Sequence, residues 1–274
     1  MSSIRSILVH LDAAAGSTAR LTLAHRLADR FGAGVTALFG VHPDPTRAAF
    51  AYSAGAAARY ADEVDWPGEQ VRARLRDQCA EHEPASLWCE VVGDSVRHGF
   101  VAEAAYADLL VLGQQATADE PGAAPPGFVE TVILESGTPA IVVPHPHRQA
   151  SLGDCVLVAW NGSAPAARAM KAALPLMRNA SQVHVATWSR QPAVAPFSRL
   201  DVQAWLHRHG IAAQIHRRDP TAHVADELLL VAAELHADLV VMGCYGHSRI
   251  REQLFGGVTR ASLATLPVPV LMAH

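Results

Sequence analysis

The segments YADLLVLG (106–113) and HADLVVMG (236–243) align residue for residue, with Asp108 falling on Asp238. A chain that repeats such a unit builds the same substructure twice, which removes most folds from consideration at once. The same spacing of 130 residues carries Pro139 of TPAIVVPH onto Pro269 of VPVLMAH, so this block repeats without a net gap. The beginnings match at a wider spacing: ILVHLD (7–12) falls on VLVAWN (156–161), 149 residues further on. The first copy therefore carries about nineteen extra residues, placed in the Pro-bracketed, Ala- and Tyr-rich stretch 42–68 and read as a surface excursion. HPHRQASLGD (145–154) is a polar Pro/Gly/Ser linker, giving domains at 1–147 and 151–274.

Within each copy, short apolar runs alternate with helical patterns. SILVHL (6–11) reads as a buried parallel strand, and STARLTLAHRLADRFG as an amphipathic helix with Ser17 or Thr18 as its cap and Gly32 as its stop. VTALFGV, EQVRARLRDQCAEH, LWCEVV, VRHGFVAEAAY, DLLVLG and PAIVVP complete the first copy. VLVAW, PAARAMKAALPLM, VHVATW, VQAWLHRH, AAQIHR, HVADELLLVAAELH, DLVVMG and PVLMA repeat the order. Strands separated by helices of this length imply right-handed βαβ units. The expected fold is α/β: two tandem doubly wound α/β sandwiches, each with a parallel sheet of about five strands. The short edge strands AIVVP (140–144) and VLMA (270–273) invite pairing, so the copies are expected to pack as an intramolecular pseudo-dimer, with a homodimer as a further candidate.

Composition narrows the function. A formal net charge of −4 and a pI near 6.4 argue against generic nucleic-acid binding. No stretch approaches the roughly 18 apolar residues of a membrane helix, and the N-terminus lacks a signal-peptide pattern. Cys79, Cys89, Cys155 and Cys244 are scattered, as free thiols in a reducing compartment would be. A cytoplasmic location is the expectation. Gly32-x-Gly34-x-x-Ala37 follows a helix rather than a strand, the wrong order for a dinucleotide fingerprint. Lys171, the sole lysine, has no P-loop around it. His145-x-His147 and His207-x-His209 lack further ligands at metal spacing, so no metal site is assigned. No Ser/His/Asp or Cys/His set has a believable context, so no catalytic residue is assigned either.

Ligands of doubly wound sheets bind beyond the carboxyl ends of the strands, where the strand order reverses. The segment 243–260, GCYGHSRIREQLFGGVTR, begins at such an end. Gly243 and Gly246 let backbone approach a ligand, and Gly256 and Gly257 place bare amides at a helix start, which favours an anion. This pattern resembles the nucleotide loop of the universal stress protein family, G-x-x-G-x9-G-S/T, and the resemblance extends over both copies. It implies a stress-response regulator that binds ATP or AMP, with Mg as a candidate companion, and acts on a protein partner not identified by the sequence. Carried over by position, the phosphate contacts fall on Gly246, Gly256, Gly257, Val258 and Thr259, with His247 inside the loop. The ribose and base would be lined by Ala159, Trp160, Asn161, Trp188, Met242 and Gly243.

Two positions depart from the pattern: Gly257 stands where Ser or Thr is usual, and Asn161 where Asp is usual. The first copy keeps Asp12, but Ala116, Pro126 and Phe128 replace Gly246, Gly256 and Val258, and Asp119 and Glu120 add negative charge. One working site in the C-terminal domain is expected. The alternatives are a ligand-free scaffold, in which the glycines only make turns, and an adenylyl-transferring or ATP-hydrolysing enzyme of the same fold group.

Overall fold

The computed structural model describes residues 4–41, 68–92, 95–114, 123–146, 151–188, 201–219, 223–244 and 267–274. The chain divides into two compact units, Ile4–Ser136 and Gly137–His274. The first contains β1 (Ser6–Leu11), α1 (Ser17–Phe31), β2 (Gly34–Val41), α2 (Glu69–Glu81), β3 (Leu87–Val92), α3 (Ser95–Ala104), β4 (Leu109–Gly113) and α4 (Phe128–Ser136). Its strands lie in the order β3-β2-β1-β4, all parallel. Leu21, Leu23, Ala24 and Leu27 of α1 are buried at helical spacing, and Gly32 ends that helix at φ +62°, a conformation other residues adopt only with strain. Gly16, not Ser17 or Thr18, stands at the cap of α1 and, having no side chain, supplies no capping bond; the Ser17 hydroxyl is turned to Asp12 instead.

The second unit contains β5 (Ala140–Val143), β6 (Cys155–Ala159), α5 (Ala164–Ala172), α6 (Leu174–Met177), β7 (Gln182–Trp188), α7 (Val202–Arg208), β8 (Ala213–Arg218), α8 (Val224–Glu234), β9 (Leu239–Gly243) and β10 (Val270–Ala273). Here β8-β7-β6-β9-β10 is a parallel run of five strands. The strand read from sequence as closing the first copy, β5, belongs to this unit and lies antiparallel to β10, with Ile141 opposite Leu271. The two short closing strands thus pair, as their exposed edges suggest. PAARAMKAALPLM, read as one helix, is two: α5 stops and α6 begins around Ala173, with Pro175 in the first turn of α6 where its missing N–H costs nothing. Among the described residues no helix is long and apolar enough to cross a membrane.

The aspartate of the repeated motif has a structural task in both units. Asp108 Oδ2 accepts the amides of Arg5 (2.8 Å) and Ser6 (3.1 Å), where β1 begins. Asp238, 5% exposed, accepts those of Gly153 (2.9 Å), Asp154 (3.1 Å) and Cys155 (3.1 Å), where β6 begins. Each carboxylate satisfies strand-start donors that have no sheet partner. The motif that betrays the repeat therefore anchors the amino end of the sheet, and ligand chemistry has to be sought at the other end.

Candidate functional site

In both units the strand order reverses between the first and fourth strands, β1 beside β4 and β6 beside β9. In the second unit Ala159 lies in register with Ala186 on one side and Met242 on the other. That register brings Ala159, Trp160 and Asn161 of β6 and its exit, Trp188 of β7, and Met242 and Gly243 of β9 to one edge of the sheet. The Trp160 amide donates to the Ala186 carbonyl at 2.8 Å, which extends the β6–β7 pairing one step past β6. Asn161 is exposed, and its Oδ1 accepts the Ser163 amide at 3.0 Å in a turn that leads into α5. Ser163 caps α5 through its hydroxyl, which accepts from Ala166 N at 3.3 Å. Gly243 lies against that same first turn: a Cβ there would overlap the backbone of Pro165 and Ala166. A capped helix start and a glycine strand end thus meet at the switch point, and Gly243 is open to the close approach of α5 rather than to that of a ligand. Gly246, His247, Gly256, Gly257, Val258 and Thr259 lie outside the described residues.

The corresponding mouth of the first unit is built from different chemistry. Asp12 follows β1 as Asn161 follows β6, and its Oδ1 likewise accepts the amide two residues on, from Ala14 at 3.2 Å. Asp12, however, is only 3% exposed. Arg20 Nη2 donates to Oδ1 at 2.5 Å, and Arg20 Nε donates to the His10 carbonyl at 2.8 Å. The Ser17 oxygen sits 2.8 Å from Oδ1 and accepts from Arg20 Nη2 at 2.6 Å. The second carboxylate oxygen accepts the amide of Ala124 at 3.2 Å, from the segment that enters α4. Burial alone would raise the Asp12 carboxyl, but Arg20, His10 and the Ser17 hydroxyl outweigh it and hold the carboxyl down at about 2. The guanidinium also takes the space in front of β4, since a Cβ on Gly113 would strike it. What remains between His10, Asp12, Arg20, Gly113, Pro125 and Phe128 is a cavity of about 20 Å³, room for a single water.

At the spacing that aligns the first strands, Ser17 falls on Ala166 and Arg20 on Ala169. Three polar or charged groups of the first mouth are thus replaced together by Asn161 and two alanines. Neither Arg20 nor Glu227 was singled out from sequence. For Arg20 a signal existed in that joint replacement; Glu227, which accepts the Trp188 indole N–H, lies 39 residues from its partner and gave none. In the first copy, Ala116, Asp119 and Glu120 lie outside the described residues. Pro126 and Phe128 are described and mark the entry to α4, where the Phe128 amide donates to the Pro125 carbonyl at 3.1 Å. Among the described residues no group of three His, Cys, Asp or Glu is placed to hold a metal ion.

Comparison with known proteins bears on residues 154–274, which match the family model described as the universal stress protein family. No curated protein matches the chain. Among solved structures, a universal stress protein from Archaeoglobus fulgidus superposes with a TM-score of 0.70 at 18% identity, over 98% of this chain and 97% of that one. A functionally unknown protein from Pseudomonas aeruginosa superposes with a TM-score of 0.60 at 16% identity, over 98% and 92%. At these identities the likeness concerns the fold, and it runs the length of the chain.

Proposed function

We propose, from the match of residues 154–274 to the universal stress protein family, that the second unit binds one adenine nucleotide, ATP or AMP, as a stress-response regulator. The observation that carries this reading is the exposed Asn161 at the β6–β9 switch point, beside Gly243, which lies against the first turn of α5. Its counterpart Asp12 is buried beneath an arginine. The side-chain amide of Asn161 can bond a ribose hydroxyl, as a neutral group where the family pattern has a charged one. Trp160, Trp188 and Met242 offer the apolar surface for the base. Gly246, Gly256, Gly257, Val258 and Thr259 would offer their amides to the phosphates, with Mg²⁺ accompanying ATP and His247 beside it. The action in this reading is binding, and the nucleotide works by favouring one conformation or partner affinity over another.

The first unit then serves as scaffold. Both oxygens of Asp12 already accept protein donors, which leaves the first mouth without an open carboxylate for a ribose hydroxyl. Calorimetric titration with ATP and AMP tests both statements. One nucleotide per chain is expected, retained in Asp12→Asn and lost in Gly256→Val, where two methyls would stand in place of a phosphate oxygen. Losing two charge-assisted amide bonds of roughly 1.5–3 kcal/mol each lowers affinity by about a hundredfold or more. A stoichiometry of two, or binding that survives Gly256→Val, would refute the assignment.

A further inference from the structure

At the rim of this edge a tryptophan at a strand end is tied to a neighbouring helix. Trp188 is the last residue of β7, and its indole Nε1 donates to Glu227 Oε2 at 2.6 Å. Glu227 stands in the first turn of α8, beside Asp226, and both partners of the contact are half-buried. A helix start favours a carboxylate by itself, so the negative charge is stabilised where it stands. The bond is short and charge-assisted, the kind that fixes orientation as well as adding energy. An unanchored tryptophan at a strand end can change rotamer; this one is tied by its only polar atom to a different element.

We propose that Glu227 is a positioning residue for nucleotide binding: its carboxylate fixes the Trp188 indole at the end of β7, and the fixed ring is the surface against which the base packs. This rests on the reading that the second unit binds a nucleotide. Holding the ring before the ligand arrives removes an ordering cost from the binding step. Glu227 acts through Trp188 and touches no reacting atom.

The test combines ATP titrations of Glu227→Ala, Glu227→Gln, Trp188→Phe and the double variant Glu227→Ala/Trp188→Phe with nuclear magnetic resonance of the indole N–H groups. The Trp188 signal is assigned by its loss in Trp188→Phe. Glu227→Ala and Trp188→Phe are each expected to weaken ATP binding about tenfold, as the loss of one charge-assisted bond does. The double variant is expected to lose no more than either alone, since the two residues act through one bond. Glu227→Gln retains an acceptor and stays within about threefold of the parent. ATP should also shift the Trp188 indole signal in the parent protein. Parent protein that binds ATP while Glu227→Ala keeps full affinity, or while the Trp188 signal stays still, overturns this inference alone, as do multiplying losses in the double variant. Should Glu227→Ala fail to fold, Trp188→Phe and Glu227→Gln decide: parent-like affinity in the first, or an equal tenfold loss in the second, overturns it. Parent protein that binds no nucleotide overturns the reading of the site and this inference with it.

Discussion

Asp12 and Asn161 occupy corresponding turns, each accepting the amide two residues ahead, yet one is sealed under an arginine and the other faces solvent. By residue type alone, the aspartate is the better ribose ligand, and ranking the two mouths by that residue would point to the half opposite to the one proposed above. A carboxylate binds a new partner only if its lone pairs are free, and Asp12 has spent its oxygens on Ala14, Arg20, Ser17 and Ala124. The weaker residue is the exposed one. The pair of mouths teaches that a binding position is defined by what the rest of the copy leaves unoccupied.

The most forceful way to break this comparison is to remove the arginine. Arg20→Ala strands a buried carboxylate among its remaining donors, and urea denaturation should show a loss of about 3–5 kcal/mol, the usual cost of unpairing a buried charge. The double variant Asp12→Ala/Arg20→Ala should recover a large part of that loss. If Arg20→Ala alone is neutral, the ion pair does not hold the first mouth shut.

Acid should reach the same pair without mutation. The Asp12 carboxyl lies at about 2 in the folded chain against an ordinary 3.8. Its contribution is therefore complete above the ordinary value and is lost as pH falls from about 4 to 2, amounting to about 2 kcal/mol. Asp12→Asn should abolish that step in a series of urea midpoints. His25 supplies an earlier one. Burial first, and then His82 stacked on it at 3.9 Å, hold the imidazole at about 4 rather than 6.5. The unfolded chain takes up that proton before the folded one, so stability also falls between about pH 6.5 and 4, and His25→Phe should remove this earlier step alone.

The smallest effect sharpens the second mouth. Asn161→Asp converts a neutral acceptor into a charged one, where α5 has alanines in place of the serine and arginine that occupy Asp12. A gain of about 1 kcal/mol, roughly fivefold in nucleotide affinity, is expected by calorimetry. A decrease would mean that Asn161 does not meet the ribose.

Much of this was legible in the chain. Two spacings, 130 and 149 residues, placed the strand ends at Asp12, Gly113, Asn161 and Gly243, because a repeated βαβ order has few ways to fold. Periodicity also gave α1 and its stop at Gly32, a position whose φ of +62° suits glycine. What it could not give was the use of polar groups across elements. Arg20 sits on a helix whose pattern marks arginines as solvated, and only the fold reveals that it faces His10 and Asp12. The break near Ala173 was written in Pro175, but the apolar periodicity on either side concealed it. Glu227 reads as an ordinary helix-start acid, since its partner is set by how α8 meets the end of β7.

The aspartates at the opposite end of the sheet carry a consequence for the order of events during synthesis. The amides that open β1 wait for Asp108, which leaves the ribosome 103 residues after Arg5. Those that open β6 wait for Asp238, 83 residues after Cys155. Each half therefore emerges with its first strand made but its starting donors unmet, and only the fourth strand of that half brings the acceptor. Such distant partners make closure slow and late. A nascent chain halted before residue 108 should thus present an open, protease-sensitive first half, whereas one halted beyond β4 should protect it.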